Sequence, residues 1–284
     1  MATGGSSAQA ADVVRAALDL GIDFIDTARA YGTESAVGAA LKGVRDRVVV
    51  SSKAMVATGA GLIGAADLAA SLEHSLTRLA TDYIDIFHLH GVTAAQYPHC
   101  RDVLAPELQR QRAAGKIRYL GITERFSDDT AHEMLQQALP DNLFDVVMVG
   151  FNLLNPSARK TVFPHTIVRD VGTLIMFAVR RALHDDASAA AAVAGLLARG
   201  GIAATDVAVD GLTGLLRRGG VGSVVEAAYR FCRHEPGAHV VLTGTGSIDH
   251  LAHNVAAILA PPLPADVAAG LRQMFGSVDS VSGN

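Results

Sequence analysis

Short apolar runs alternate with segments of helical periodicity along nearly the whole chain. Val48, Val49 and Val50 stand in succession, as in a parallel strand that is buried on both faces. Similar runs recur along the sequence, separated by helical segments and turn-forming residues. The pattern predicts seven strands, at residues 24–27, 47–53, 83–90, 117–122, 144–151, 172–178 and 239–243.

The segments between these strands show apolar faces at helical spacing. Leu68, Leu72, Leu76 and Leu79 lie three or four residues apart, which marks one helix face packed on a core. Further helices are expected over residues 12–20 and 34–41, up to residue 115, from an N-cap at Ser127 to the residue before Pro140, in two or three pieces up to about residue 234, and over 247–258.

Repeated strand-then-helix units imply a mostly parallel sheet with right-handed crossovers. The chain opens with a helix and shows seven strands, so we expect an α/β fold of the TIM-type (β/α)8 barrel class that lacks the first strand. No repeat or linker divides residues 1–284, which predicts a single domain. We expect a frayed tail from Val278, and lower stability than that of a version extended upstream.

Composition narrows the function classes. The 284 residues are 50% hydrophobic, enough for a sizeable core, and the net charge of −4 gives no basic excess for nucleic acid or anionic membranes. The first ten residues lack the features of a secretory signal. Cys100 and Cys232 stand far apart and suggest no disulfide framework. We expect a cytoplasmic protein that acts on small molecules.

Polar residues stand at the C-terminal ends of three successive predicted strands. Asp26 lies at the first end, Lys53 at the second and His90 at the third, and Tyr31 follows in the loop after Asp26. In a parallel barrel all strand C-termini meet on one face, where catalytic groups gather. We therefore expect these four side chains to converge.

These residue types suit proton transfer to a carbonyl oxygen. A free tyrosine has a pKa near ~10, and a nearby lysine ammonium lowers it, while an aspartate holds the lysine charged. A histidine can orient the carbonyl. Since no nucleophile is evident, we expect the other half of the reaction to come from a nicotinamide cofactor. The alternatives are a structural ion pair of Asp26 with Lys53, a packing role for Tyr31 and a core role for His90.

A glycine-rich turn, Thr-Gly-Thr-Gly-Ser at residues 243–247, joins the last predicted strand to a helix. Glycines let backbone N–H groups approach an anion, and a helix N-terminus favours negative charge. The last strand-to-helix junction is a common phosphate site in barrels. The turn therefore predicts phosphate binding.

Four separated blocks resemble the aldo-keto reductase superfamily: GIDFIDTARAYG, VVVSSK, SLTRLATDYIDIFHLH and VVLTGTGSIDHLAHN. The resemblance covers about residues 12–258. It implies an oxidoreductase that reduces small aldehydes or ketones, or oxidises sugars or alcohols in reverse. In that family's pattern Tyr31 would be the general acid, Lys53 and Asp26 would tune its pKa, and His90 would orient the carbonyl.

The resemblance also assigns the cofactor, NADP(H), with NAD(H) as an alternative. Thr123 matches the position that holds the carboxamide, and Phe177 matches the aromatic residue that stacks on the nicotinamide. The phosphate and adenine end would lie along Gly244, Thr245, Gly246, Ser247 and Asn254.

Three positions depart from the family pattern. Met148 stands where many relatives carry a glutamine for the carboxamide, and Glu124 where many carry an asparagine. His250 takes the place where some relatives put an arginine on the 2′-phosphate. These departures weaken the expected preference for NADP(H) over NAD(H).

Other interpretations stay open. Residues 59–64 spell G-x-G-x-x-G, which would suit a Rossmann-type site, although the first glycine stands well beyond the strand end. A nucleotide-binding scaffold or sensor barrel with little chemistry is the other alternative. His88 and His90 form an H-x-H pair, but no third ligand is evident, so we expect no metal. Arg180 and Arg181 either touch phosphates or form a solvated pair.

Overall fold

The computed structural model describes residues 7–284, with side chains from Gln9 onward. Seven parallel strands form one sheet, in which each strand pairs with the next along the chain, and a two-stranded antiparallel hairpin stands apart. The strands are β1 (Phe24–Asp26), β2 (Val49–Met55), β3 (Ala57–Thr58), β4 (Gly61–Leu62), β5 (Ile84–Val92), β6 (Ile117–Glu124), β7 (Val146–Gly150), β8 (Gly172–Met176) and β9 (Val240–Val241), with β3 and β4 forming the hairpin.

Helices follow the strands and cover the outside of the sheet. They are α1 (Ser7–Asp19), α2 (Glu34–Ala40), α3 (Ala65–Leu79), α4 (Tyr97–His99), α5 (Ala105–Ala113), α6 (Glu133–Asp141), α7 (Ala158–Thr161), α8 (Phe163–Arg169), α9 (Asp186–Ala198), α10 (Gly211–Arg218), α11 (Val224–Arg233), α12 (Ile248–Leu259) and α13 (Ala265–Phe275).

The curled sheet is buried on both faces, which explains its continuous apolar runs. Along β5, Ile86 joins an inner cluster with Met148 and Leu174 from two other strands. Phe87 and Leu89 point to the other face and join the larger core beneath the helices. Because side chains alternate along a strand, this register turns the histidines of β5 toward the inside.

The sheet has two open edges in the described part of the chain, because β1 pairs with β2 alone and β9 with β8 alone. The predicted seven-stranded α/β barrel, open between its first and last strands, is confirmed. Outside the opening α1 packs on α12, where Val13 and Ala17 contact Leu251. The single-domain organisation stays a prediction.

One glycine is needed where two helices meet. A Cβ on Gly38 of α2 would lie 2.6 Å from the backbone oxygen of Leu79, closer than real contacts allow. The glycine therefore brings α2 against the end of α3. The four leucines of α3 are all buried, as their spacing predicted.

The predicted bounds of α6 are wrong. The helix begins at Glu133, because the carboxylate of Asp129 accepts the backbone N–H groups of Glu133 at 2.8 Å and Met134 at 2.9 Å. Ser127 lies in the turn before it, and Pro140 lies inside the last turn. A carboxylate with two acceptor oxygens here outcompetes the hydroxyl as a cap.

The expectation of a frayed tail from Val278 is also wrong. Val278 is buried, and Asn155 donates its side-chain N–H to the backbone oxygen of Val281 at 2.9 Å. Asn152 donates likewise to Ser282 at 3.1 Å. Backbone polar groups in this tail thus find partners on the loop after β7, which fixes the chain end on the C-terminal face of the sheet.

No helix within residues 7–284 is long and apolar enough to cross a membrane. The cytoplasmic location stays a prediction. Cys100 and Cys232 are both buried free thiols, in agreement with the expectation of no disulfide framework.

Candidate active site

Asp26 and Lys53 form an ion pair at the C-terminal ends of β1 and β2. The Nζ atom of Lys53 donates to Oδ2 of Asp26 at 2.5 Å and to the backbone oxygen of Thr27 at 2.8 Å. Ser51 donates its hydroxyl to the other carboxylate oxygen of Asp26 at 2.7 Å. Parallel pairing of Asp26 with Ser51 sets this geometry, because Lys53 then lies just beyond the end of β1.

The charged state of Lys53 depends on carboxylates. Burial lowers the pKa of Lys53, while Asp26 and then Glu34 raise it. Glu34 is fully buried in α2, where its Oε1 accepts the hydroxyl of Ser52 at 2.7 Å. Asp26 therefore acts as the main partner that holds the ammonium in the interior.

Tyr31 reaches over this ion pair from a short 3-10 helix, Arg29–Tyr31, after β1. Gly32 closes that helix in the left-handed region at φ 70°. The Tyr31 ring centroid lies 5.0 Å from Nζ of Lys53 and 5.7 Å from the ring of His90, which it meets edge-on. The four predicted residues therefore converge, with Tyr31 at the solvent side and 37% exposed.

The electrostatics of Tyr31 differ from the expectation. Burial, followed by the charge of Asp26, raises the pKa of Tyr31 well above its ordinary value, and Arg180 lowers it. Lys53 directs its ammonium at Asp26 and Thr27 instead. The expected lowering of this pKa by Lys53 is thus wrong, and the phenol is protonated at neutral pH.

His90 and His88 lie inside the barrel at the level of the ion pair and below it. Burial, and then the charge of Lys53, lower the pKa of His90 to about 4 and that of His88 to about 3. Both rings are therefore neutral at pH 7. A Cβ on Gly121 of β6 would lie 2.1 Å from Nδ1 of His88, so the glycine makes room for this ring.

No group of three or more His, Cys, Asp or Glu residues is placed to hold a metal ion in the described part of the chain.

Thr123 and Phe177 lie at neighbouring strand ends on the same face. The hydroxyl oxygen of Thr123, at the end of β6, accepts the backbone N–H of Gly91 at 2.7 Å, which leaves the hydroxyl proton free to donate. Phe177 follows β8 in the left-handed region at φ 67° and is half-buried. Its ring meets Phe126 edge-to-face, with centroids 5.6 Å apart.

The glycine-rich turn lies between β9 and α12, as predicted. Ser247 caps α12 by accepting the backbone N–H of His250 at 3.3 Å, and the hydroxyl of Thr245 accepts the N–H of Ser247 at 3.0 Å. Gly244 and Gly246 are exposed, and a Cβ on Gly246 would meet nothing within 4 Å. This turn has room for an anion.

Asn254 lies in α12 and contacts the residue that opens the turn. It donates its side-chain N–H to the hydroxyl of Thr243 at 2.9 Å, and Tyr229 shares that hydroxyl at 2.8 Å. The amide is thus already engaged, and it holds the turn against the first part of α12.

The two carboxamide positions that depart from the family pattern lie on opposite faces of the sheet. Met148 is buried in the inner cluster, on the same face as its register partner Thr123. Glu124 is buried and contacts Nδ1 of His132 at 2.9 Å, while its Oε1 also accepts the backbone N–H of Gly150 at 2.7 Å. Nε2 of His132 in turn meets the hydroxyl of Ser157 at 2.9 Å. Sequence reasoning missed this buried relay, because nothing local pairs Glu124 with His132.

Arg180 is the other residue whose role the sequence left undecided. Its guanidinium carbon lies 4.4 Å from the ring centroid of Phe177, and its Nη2 donates to the side-chain oxygen of Asn284 at 2.7 Å. It is therefore part of the site rim, where both it and Arg181 are exposed. Its place three residues after Phe177 was the available signal.

The alternative Rossmann interpretation is wrong. Residues 57–62 form the antiparallel hairpin of β3 and β4, with Gly59 in its turn and Gly61 at the start of β4, and Gly64 is the N-cap of α3. A dinucleotide fingerprint requires a tight turn directly between a parallel strand and a helix. The sequential strand order of the sheet also lacks the reversal of a doubly wound fold.

Curated proteins have sequences similar to part of this chain. The chain is 31% identical over 187 residues to aldo-keto reductase YhdN of Bacillus subtilis, and 30% identical over 171 residues to L-galactose dehydrogenase of Arabidopsis thaliana. These matches cover 61% and 57% of the chain, respectively, and 52% of each relative. The chain thus spans about half the length of the curated relatives it matches.

Solved structures share the fold over nearly the whole chain. The holo form of aldo-keto reductase AKR11C1 from Bacillus halodurans matches with a TM-score of 0.71 at 25% identity, covering 99% of this chain and 92% of that one. An aldo/keto reductase from Klebsiella pneumoniae in complex with NADP and acetate matches with a TM-score of 0.68 at 23% identity, covering 97% and 88%. The model of the aldo/keto reductase family matches residues 2–274. The resemblance seen in the sequence is confirmed, and the chain belongs to the aldo/keto reductase family.

Proposed function

We propose that this protein is an NADP(H)-dependent oxidoreductase that reduces small aldehydes or ketones, or oxidises sugars or alcohols in reverse. The observation that carries the proposal is the convergence of Tyr31 and His90 on the ion pair of Lys53 with Asp26. Membership of the aldo/keto reductase family supports it. The solved relative with NADP bound supports the choice of cofactor.

The face of the barrel fits such a cofactor. The turn at residues 243–247 and the first turn of α12 offer backbone N–H groups and open space to phosphates. Half-buried Phe177 offers a ring to the nicotinamide, and Thr123 offers its hydroxyl proton to the carboxamide. Gly244, Thr245, Gly246, Ser247 and Asn254 would line the phosphate and adenine end. When bound, the nicotinamide supplies or accepts hydride.

The carboxamide has fewer partners here than in the family pattern. Glu124 is committed to His132 and Gly150, and Met148 carries no hydrogen-bonding group. Of the residues that the family pattern assigns to the carboxamide, Thr123 is the one that still offers a hydrogen bond. Exposed His250 would lie near a 2′-phosphate in the place of an arginine, so NAD(H) stays an alternative.

Tyr31 would donate the proton to the carbonyl oxygen during reduction. Its ring contacts His90 and Lys53, and its hydroxyl makes no hydrogen bond within the described residues, so it is free to meet a substrate. Its raised pKa keeps the phenol protonated at neutral pH, as an acid must be before it acts. The charge of Arg180 favours the phenolate left after transfer.

His90 would orient the same carbonyl oxygen. With its pKa lowered to about 4, the ring is neutral at pH 7 and can donate one N–H without losing a proton. Asp26 would act through Lys53, since it holds the ammonium and forms no hydrogen bond with Tyr31 among the described residues. Asp26 is therefore a positioning residue.

A second candidate is a nucleotide-binding scaffold or sensor with little turnover. The open edge between β1 and β9, together with the committed side chain of Glu124, favours it. Both candidates bind the nucleotide, and only the first one turns over carbonyl substrates.

The test measures NADPH binding by fluorescence and aldehyde-dependent NADPH oxidation at 340 nm, with 4-nitrobenzaldehyde as substrate. We expect Tyr31→Phe to lower kcat at least about 100-fold, the usual contribution of a general acid, and to leave the Kd for NADPH within about twofold. Full turnover by this variant would contradict the assigned acid. Binding by the wild type without turnover would favour the scaffold.

Two glycine variants locate the phosphate site. Gly246→Asp adds a negative charge to the turn before α12 and is expected to raise the Kd for NADPH at least tenfold. Gly59→Asp is the matched control, because a Cβ at either glycine meets nothing within 4 Å. An equal effect of the two variants would remove the support for this turn as the phosphate site.

A further inference from the structure

Arg180 carries a positive charge at the rim of the site that no acidic group neutralises. Its Nη2 donates to the side-chain amide oxygen of Asn284, a neutral acceptor. Its guanidinium also lies over the ring of Phe177. Among the residues that the structure describes, no carboxylate forms an ion pair with it, although a guanidinium offers five donors in a planar fork.

The charge of Arg180 acts on the proposed proton donor. It lowers the pKa of Tyr31, and Tyr31 in turn raises the pKa of Arg180. Burial and the neighbouring Arg181 lower the pKa of Arg180, so its surroundings are short of negative charge. A carbonyl substrate in contact with Tyr31 would therefore have an unpaired guanidinium near it.

The C-terminal tail holds Arg180 in place. The backbone N–H of Ala182 donates to the backbone oxygen of Gly283 at 3.0 Å. The side chain of Asn152 donates to the backbone oxygen of Ser282, the residue before Gly283. Asn284 thus meets Arg180 from a fixed segment, while Phe177 supports the guanidinium from below. A pre-positioned arginine recognises a planar anion such as a carboxylate by paired hydrogen bonds.

We infer that Arg180 is a specificity-determining residue that binds the carboxylate of the substrate, and that the preferred substrates are aldehydes or ketones with a carboxylate group. The inference rests on the proposed function and deepens it. A phosphate of the cofactor shares the anionic chemistry that an arginine binds. The charge of Arg180 acts on Tyr31, the group that would meet the substrate carbonyl. This favours the substrate over the cofactor as the molecule that supplies the anion.

The experiment compares 4-carboxybenzaldehyde with 4-nitrobenzaldehyde, two aldehydes of nearly the same shape that differ in charge. The measured quantity is the ratio of kcat/KM for the charged over the uncharged aldehyde. We expect Arg180→Gln to lower this ratio about 10- to 100-fold, as the loss of one or two charge-assisted hydrogen bonds would. Taking the ratio removes any effect of Arg180 on Tyr31 that both aldehydes share.

Two further variants sharpen the test. Arg181→Gln removes the neighbouring exposed charge and is expected to leave the ratio within about twofold. Asn284→Asp places a carboxylate against Arg180 and is expected to lower the ratio while the arginine is kept. Equal effects of Arg180→Gln and Arg181→Gln would overturn the inference, because a general positive field would then explain both.

Binding measurements separate this inference from the proposed function. Calorimetric titration of the two aldehydes into protein with NADP⁺, in which no reduction occurs, and into protein alone reports affinity without turnover. A selective loss of 4-carboxybenzaldehyde binding in Arg180→Gln supports the inference even if the wild type reduces neither aldehyde, an outcome that would sink the proposed function alone. A raised Kd for NADPH with an unchanged preference between the aldehydes assigns Arg180 to the cofactor and overturns the inference.

Discussion

Removing Asp26 and removing Lys53 should have very different effects on stability. The two charges lie 2.5 Å apart, and the side chain of Lys53 is 0% exposed, whereas that of Asp26 is 14% exposed. Without Asp26, the buried ammonium keeps the backbone oxygen of Thr27 as its acceptor. Without Lys53, the carboxylate keeps the hydroxyl of Ser51 and some contact with water. We therefore expect Asp26→Asn to be far more destabilising than Lys53→Met.

The size of the two stability losses follows from whether a buried lysine stays charged or loses its proton. Breaking a buried ion pair on one side costs about 3–5 kcal/mol. An unpaired Lys53 can instead lose its proton, at about 1.4 × (10.4 − 7), or about 5 kcal/mol, at pH 7. The penalty of Asp26→Asn should therefore lie at about 3–5 kcal/mol. Lys53→Met should cost about 1–2 kcal/mol, the range for an imperfectly paired polar group.

The sign of the pH dependence identifies the mechanism. If Lys53 is neutral in the folded Asp26→Asn variant, its folded pKa lies below the unfolded value of about 10.4, and the unfolded state binds one more proton. The free energy of unfolding then rises by about 1.4 kcal/mol per pH unit, or about 2.7 kcal/mol from pH 7 to pH 9. In the wild type Asp26 favours the charged lysine, so the same rise begins at higher pH.

Urea unfolding followed by far-UV circular dichroism measures these quantities, since the chain has no tryptophan. Lys53→Met and the double variant complete a cycle, in which the coupling energy should exceed about 2 kcal/mol. Equal penalties for the two single variants, unchanged between pH 7 and pH 9, would refute the reasoning.

Two further outcomes are expected. Burial lowers the pKa of His88 to about 3, so the folded state resists a proton that the unfolded state takes up below about pH 6.5, and the free energy of unfolding falls as the pH drops from about 6.5 toward 3. Between pH 7 and pH 5 the wild type should lose about 2 kcal/mol more stability than His88→Leu. Parallel curves of unfolding free energy against pH for the two proteins would contradict this. Asn155→Ala should free the C-terminal tail, because Asn155 bonds both Val281 and Ser157; release of tail residues by carboxypeptidase should quicken at least tenfold, and an unchanged rate would disprove the anchoring role.

Features that depend on chain direction and side-chain period were predictable from the sequence. Asp26 and Lys53 meet because parallel strands end on one face, and the period of two turns His88 and His90 to the same side. The start of α12 was placed within one residue, since the helix predicted from Ser247 begins at Ile248. Each of these follows from local sequence plus one rule of sheet geometry.

Features that depend on the path of a loop, or on side-chain partners outside a regular element, were not predictable. The cap at Asp129 wins because its carboxylate reaches two N–H groups, which only the bent path before α6 allows. Glu124 contacts His132, and the C-terminal tail accepts hydrogen bonds from Asn152 and Asn155. No spacing in the sequence predicts these contacts. The sequence therefore indicated the residues of the site but not the partners that surround them.

The acidity of Tyr31 shows most clearly why partners matter. Lys53 and Asp26 form a close pair of opposite charges, and after burial it is the charge of Asp26 that raises the pKa of Tyr31. Arg180 has no acidic partner in the described chain, and its charge lowers the pKa of Tyr31 against the larger upward effects of burial and Asp26. The cation that eases proton loss from Tyr31 is thus the one outside the predicted set of four, and it comes from the strand end that also carries Phe177.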